Sequence, residues 1–279
     1  INIYTQRNRF KAKQIMGKKA YFFPFFEHEL DKAGLPKELK YISIIESALD
    51  PYALSSSGAM GLWQFIRSTA LYHLDMEITP IRDERRSHYG STKNAVKYFK
   101  ELYNTFGDWL LAIAAYNGGP GTVRKAIKKS GGKKDFFSIL PYLPKETQNY
   151  VPAFIAVMYL DNYAKAHYIS PERPEKYHAF LHPEKIEPIE LKGPLSFKTV
   201  SRHIGIAFEK LIFLNPDYNI PYIPENTKMK LVLPKEKAII ALAENENMRF
   251  LEKVNKNDIE YHIVEEGDFL HDIAQKNNC

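Results

Sequence analysis

The stretch from Tyr41 to Gln64, YISIIESALDPYALSSSGAMGLWQ, sets a single acid, Glu46, inside an apolar helical run. Leu39, Ile42, Ile45 and Leu49 keep the three-and-four spacing of a buried helical face, and Glu46 falls at the edge of that face, four residues after Ile42 and three before Leu49. A carboxylate so placed loses water, and lost water disfavours its charged form. A glutamate that stays protonated near neutral pH is a general acid. The structural alternative is an N-capping or salt-bridged acid on a short helix. Other chemistries fail on spacing. Gly118 to Lys125 is glycine-rich and basic but does not put its second glycine and lysine where a phosphate-binding loop needs them. The histidines form no HExxH pair and no Cys/His cluster exists, so no metal site is expected, and no GxSxG nucleophile elbow occurs. No cofactor motif is present either. Glycosidases ordinarily pair two carboxylates, yet none beside Glu46 stands out: Asp50 precedes Pro51 and reads as a turn residue. The SSSGAMGLWQ and AAYN tracts offer hydroxyls, amides and rings instead. A site with one glutamate must take its nucleophile from the substrate, which substrate-assisted sugar chemistry allows.

The elements that must hold these groups read as helices. Pro24 opens and Gly34 closes one of two short helices in the first 35 residues, and Pro36 starts the Glu46 helix, which ends near Asp50-Pro51. A polar serine loop follows, then a helical run from Leu62 to about Leu74. AVKYFKELYNTF is amphipathic, and Asp108 caps DWLLAIAAYN, which is apolar nearly all round and belongs in the core. Val123 to Ser130 forms a short helix, and Pro144 opens a long one that Pro152 kinks or interrupts. Seven or eight helices therefore precede any convincing strand. Four prolines and alternating charge between Ser170 and Gly193 mark a linker. Beyond it, Leu195 to Lys235 is a small α/β unit in which SFKTVSRHIGIAFEKLIFLNP is helical and MKLVLP is a strand. Lys235 to Asn255 is a polar helix, and YHIVEEGDFLHDIAQKNN opens a further strand, turn and helix.

The 279 residues suit one large or two smaller domains, and 44% apolar with 26% charged residues is ordinary for a soluble globular chain. The net charge of +6 fits an anionic polymer or anionic membrane surface, but the basic residues read as scattered, so nucleic acid is not expected as a partner. Cys279 is the only cysteine, which rules out an internal disulfide. No apolar run reaches the 18 or so residues of a membrane-spanning helix. The chain opens on Ile1, which suggests a processed or trimmed protein and leaves room for an upstream signal or lipid anchor already removed.

Taken in order, Glu46-Ser47, Gly58-Ala59-Met60-Gly61-Leu62-Trp63-Gln64, Ala115-Tyr116-Asn117-Gly118-Gly119 and Glu146-Thr147-Gln148-Asn149-Tyr150-Val151 resemble the motifs of family 1 of the lytic transglycosylases, the soluble-lytic-transglycosylase family. The likeness covers about residues 36 to 165 and takes in DERRS, and the C-terminal tail resembles the start of a LysM peptidoglycan-binding repeat. The resemblance implies a mainly α chain: a lysozyme-like all-α catalytic domain followed by a small α/β LysM-like module and a truncated second one. The expected divisions are a catalytic domain with an N-terminal helical extension at 1–170, a linker at 171–193, a degenerate LysM-like module at 194–236, a helical linker at 237–259 and the start of a truncated repeat at 260–279. It further implies non-hydrolytic cleavage of the MurNAc-GlcNAc bond, with Glu46 as acid and then base and 1,6-anhydroMurNAc ends as product. Ser55, Gln64 and Tyr116 would contact the sugar, Asn117 would shape the turn, and Glu146 would be a second acid that helps keep Glu46 protonated. Met60 and Tyr150 would line the cleft. Trp63 stands where the family commonly has methionine, and its ring is available to stack on a sugar. Peptidoglycan glycan strands are the implied partner of a monomeric enzyme in the periplasm or at the outer membrane of a Gram-negative bacterium. The alternatives are a hydrolytic lysozyme on the same fold and a catalytically silent peptidoglycan-binding protein.

Overall fold

The N-terminal aromatic stretch folds as one helix, α1 (Arg9–Lys32), not as the two expected, and Pro24 lies inside it. The computed structural model describes residues 9–172 and 182–254. An internal proline removes one helix hydrogen bond and crowds the preceding turn. Around it Phe22, Phe23, Phe25 and Phe26 are all buried, each stabilising the fold by roughly 1.5–3 kcal/mol, which outweighs that cost. A 3₁₀ turn over Lys37–Tyr41 then leads into α2 (Ile42–Ser47), which carries Glu46 in its last turn. This helix stops short of the expected Asp50-Pro51, because Ala48 (φ 51°) and Leu49 (φ 57°) turn the backbone left-handed. Full burial of the Leu49 side chain holds that turn in place.

Residues 61–64 form turns and Phe65 bridges back to Met60, so no helix starts there, and α3 is only Arg67–Tyr72. After it come α4 (His88–Phe106), α5 (Trp109–Gly118), α6 (Pro120–Lys129), α7 (Phe136–Ile139) and α8 (Lys145–Tyr163). Asp108 caps α5 as its sequence suggests, accepting a hydrogen bond from the Leu111 amide at 2.8 Å. Leu111 to Ala115 are buried, as expected of a helix with no polar face, and α4, α6 and α8 pack around it. Helix α8 runs through Pro152 without interruption.

The C-terminal unit departs further from its sequence reading. Strand β1 (Ile186–Lys192) lies inside the expected linker and pairs antiparallel with β4 (Lys228–Pro234), setting Ile189 opposite Leu231 and Glu190 opposite Lys230. β2 (Leu195–Ser196) and β3 (Tyr222–Ile223) make a second short ladder. The helical tract between them is two helices, α9 (Phe197–Ile204) and α10 (Phe208–Leu214), parted at Gly205, whose φ of 62° ends the first. The expected helical linker at 237–259 is, over its described part, α11 (Lys235–Ala243) and α12 (Asn245–Val254); both pack on the module and bury Ala238, Ala241 and Met248. The expected repeat start at 260–279 lies outside the described residues.

The two units share an interface. Arg82 Nε donates to the buried Asp217 carboxylate at 2.6 Å, and the amides of Asp83 and Asn219 donate to the Asp217 and Ile81 carbonyls, each at 2.7 Å. His88 lies wholly buried between Phe22 and Phe213 and its Nε2 is 2.7 Å from the Phe213 carbonyl. Burial pushes its pKa down to about 3 despite that carbonyl, so the ring is neutral and Nε2 carries the donated hydrogen.

Candidate active site

Glu46 sits at the end of α2, where Ser47 ties the helix to the following loop. The Ser47 hydroxyl lies 2.9 Å from the Ser43 carbonyl and 3.1 Å from that of Leu62. The loop folds back on itself through the Ser55 amide bonding the Ala59 carbonyl at 2.9 Å and the Met60 amide bonding the Phe65 carbonyl. Only glycine fits at 61: its φ is 86°, and a Cβ there would lie 2.0 Å from the Arg85 carbonyl oxygen. A column of rings runs from Phe26 through Trp63 and Phe99 to Tyr116, with neighbouring centroids 5.0, 5.8 and 4.8 Å apart. Tyr116 finishes the column by donating to the Trp63 carbonyl at 2.7 Å.

These elements enclose a cavity of about 360 Å³ lined by Glu46, Ser55, Gln64, Tyr116, Asn117 and Glu146, among others. Six of the eight residues expected at the site therefore meet in one space. Tyr150 is brought there from α8 as well, but through its hydroxyl, which donates to Glu46 Oε1. Met60 is not on the wall; its sulfur lies 3.9 Å from Arg85 Nη2. Trp63 is also corrected: it is fully buried and donates through Nε1 to Thr92 Oγ1 at 3.0 Å, so its ring is not available to a sugar. Gln64 spends its amide hydrogens on the Ala53 and Gly61 carbonyls, at 3.0 and 2.9 Å, and presents Oε1 as an acceptor. Asn117 accepts from Thr147 Oγ1 at 2.8 Å and reaches Glu146 Oε1 at 3.4 Å, linking α5 to α8.

The electrostatics favour a protonated acid. Burial pushes Glu46 up to about 7, the Tyr150 hydrogen bond opposes the shift, and the nearby Glu146 charge adds to it. Burial, and then the Glu46 charge, hold Tyr116 and Tyr150 well above the usual phenol range, so both hydroxyls remain donors. Glu46 is neither a cap nor a member of an ion pair among the described residues, which removes the structural alternative.

Two residues that sequence reasoning missed hold the wall in place. Arg85, buried, forks onto Asp83 with Nε and Nη2 at 2.9 and 2.6 Å and donates through Nη1 to the Gly58 carbonyl at 2.9 Å. DERRS entered the sequence reading only as part of a likeness. The signal available was an Asp and an Arg two residues apart, which says nothing about a carbonyl 27 residues away. Phe65, Ile66, Thr69 and Tyr98 also line the cavity and were not singled out.

Residues 23–138 match the family described as Transglycosylase SLT domain, and residues 185–247 match Lytic transglycosylase MltD, LysM-like domain. The chain carries a transglycosylase SLT domain. An MltD LysM-like domain follows it, and that match runs from β1 through α11 to the first residues of α12. Membrane-bound lytic murein transglycosylase D of Escherichia coli (strain K12) is 33% identical over 213 residues, covering 75% of this chain and 45% of the relative. Soluble lytic murein transglycosylase of Salmonella typhimurium is 32% identical over 121 residues, 40% of this chain and 18% of that protein. Among solved structures, the 70 kDa soluble lytic transglycosylase of Escherichia coli is similar at 27% identity and a TM-score of 0.43, over 50% of this chain and 24% of that one. The chain thus spans less than half the length of each of these relatives. Glu146 and Tyr150 lie beyond the matched SLT residues and are joined to the site by α8.

Proposed function

We propose that the SLT domain is a peptidoglycan lytic transglycosylase that cuts the bond between N-acetylmuramic acid and N-acetylglucosamine without consuming water. The observation that carries this reading is Glu46: a carboxyl raised to about 7 by burial, facing a cavity of sugar-accommodating size among neutral hydroxyls and amides. Protonated Glu46 gives its proton to the glycosidic oxygen as the bond to the muramoyl C1 breaks, and the oxocarbenium-like centre is met by that sugar's own N-acetyl group. The resulting carboxylate takes the proton of the C6 hydroxyl, whose oxygen closes on C1 to give the 1,6-anhydro end. Glu46 ends protonated, ready for another cycle. Tyr150 orients its carboxyl, Tyr116 and Asn117 hold the wall, and Ser55 and Gln64 face the sugar.

One observation favours a second reading. Glu146 lines the same cavity, and two carboxylates are the equipment of a hydrolase. Mass spectrometry of products from purified sacculi separates the two, because hydrolysis adds one water and transglycosylation does not. Reducing muramic ends in place of anhydro ends would overturn the transglycosylase reading. The names of the relatives, which include membrane-bound and soluble murein enzymes, support a cell-wall role; the chain is read as a monomer acting on glycan strands in the periplasm or at the outer membrane. Among the described residues no helix is long and apolar enough to cross a membrane, so attachment would come from an anchor outside them.

A further inference from the structure

Helix α6 starts at the cleft and carries a run of cations away from it. Its N-cap Gly119 lines the cavity beside Gly118, while Val123 and Ala126 bury the inner face. The outer face presents Arg124, Lys125, Lys128 and Lys129, all exposed, and the turn after it adds exposed Lys133 and Lys134. The sequence reading of scattered charge does not hold here. None of these six is in an ion pair among the described residues, and the acid that closes the run, Asp135, caps α7 by accepting from the Ser138 amide at 2.9 Å. Arg124 with Lys128, and Lys125 with Lys129, stand four apart on one face, a like-charge spacing that weakens a helix. The cavity itself has no Lys, Arg or His in its lining, and Glu46 and Glu146 are its two carboxyl groups.

We infer that the α6 ridge is a subsite for the carboxylates of the peptide stems carried by the glycan in the cleft; this rests on the peptidoglycan reading above. The sugars of such a strand are uncharged where the stems are attached, and its anionic groups lie on the stems. A cleft without cations suits the sugars, and a cationic ridge continuous with its rim suits the stems by charge complementarity. A solvated face that merely keeps the protein soluble would show no preference between strands.

The test is binding of Glu46→Gln protein, which leaves its ligand uncut, to glycan strands bearing stems and to the same strands after enzymatic removal of the stems. Stem-bearing strands should bind more tightly at low salt, and the preference should shrink as salt rises. Replacing Arg124, Lys125, Lys128 and Lys129 together by Gln should weaken stem-bearing strands by about tenfold and leave stripped strands unaffected. Arg at the three lysine positions should preserve the preference. Equal binding of both strands by the parent, or an unchanged preference in the Gln variant, would overturn the inference. So would a Gln variant that keeps its preference and loses only its hold on phosphatidylglycerol vesicles, since that assigns the ridge to a membrane. Absence of anhydro products from the wild-type protein counts against the reaction instead, and is read in a separate assay.

Discussion

Glu46 has a value of about 7 in the folded chain against 4.5 without its surroundings, and two neighbours push it in opposite directions. The acid must be protonated to act, so turnover should fall as pH rises through about 7. Tyr150→Phe removes the hydrogen bond that lowers the value and should move this alkaline limb to higher pH. Glu146→Gln removes the charge that raises it and should move the limb to lower pH. A pH profile of each variant on sacculi checks the pair, and shifts in the same direction would contradict the assignment. Glu46→Gln should cut turnover by roughly 10²–10⁴. It should also change stability in a definite way. A carboxyl whose value is raised by folding contributes stability that is complete below about 4.5 and is lost as pH rises through about 7. The Gln variant escapes that loss, so it should be more stable than wild type at pH 8 by about 1–2 kcal/mol, after allowance for partial exposure, and equal to it at pH 4. Thermal denaturation at the two pH values measures both.

Among the elements, the wall between α2 and α3 has little regular structure of its own and relies on Arg85. That side chain neutralises buried Asp83 and carries the Gly58 carbonyl, so truncating it leaves a buried charge alone and releases the loop. Arg85→Met should cost about 3–5 kcal/mol in urea denaturation and lower activity even where the fold persists. A smaller loss, under about 1 kcal/mol, would mean the pair behaves as an exposed one. The aromatic column is a second support. Its members come from α1, the loop, α4 and α5, so the N-terminal helix helps set the height of Tyr116 in the site.

Across the whole molecule, the LysM-like module is joined to the cleft by a short chain of contacts. The Asp217 carbonyl accepts from the Asp83 amide, Asp83 holds Arg85, and Arg85 holds Gly58. Asp217→Ala removes the buried partner of Arg82 at the same junction. The variant should show two calorimetric transitions where wild type shows one, with faster amide exchange around Gly58. Unchanged exchange there would mean that the module rides on the catalytic domain without steadying it. His88 adds a contact that does not titrate near neutrality, because burial keeps its ring neutral down to about pH 3.

The sequence by itself marked the candidate acid and most of its proposed companions. Glu46 was marked by an apolar face, α5 by the absence of a polar one, Asp108 by its place before that helix, and Ser55, Gln64, Tyr116, Asn117, Glu146 and Tyr150 by ordered motifs. Only the tertiary structure decided which of these meet in one cavity. It also decided that α2 ends at left-handed Ala48, that Trp63 is core and not a sugar platform, and that Met60 turns to Arg85. β1 was invisible in a proline-rich polar stretch because its partner, β4, lies far along the chain. The reason is common to these cases. Local spacing records that a face is buried, but it does not name what buries it, and a buried ion pair or a strand ladder exists only once distant segments have met.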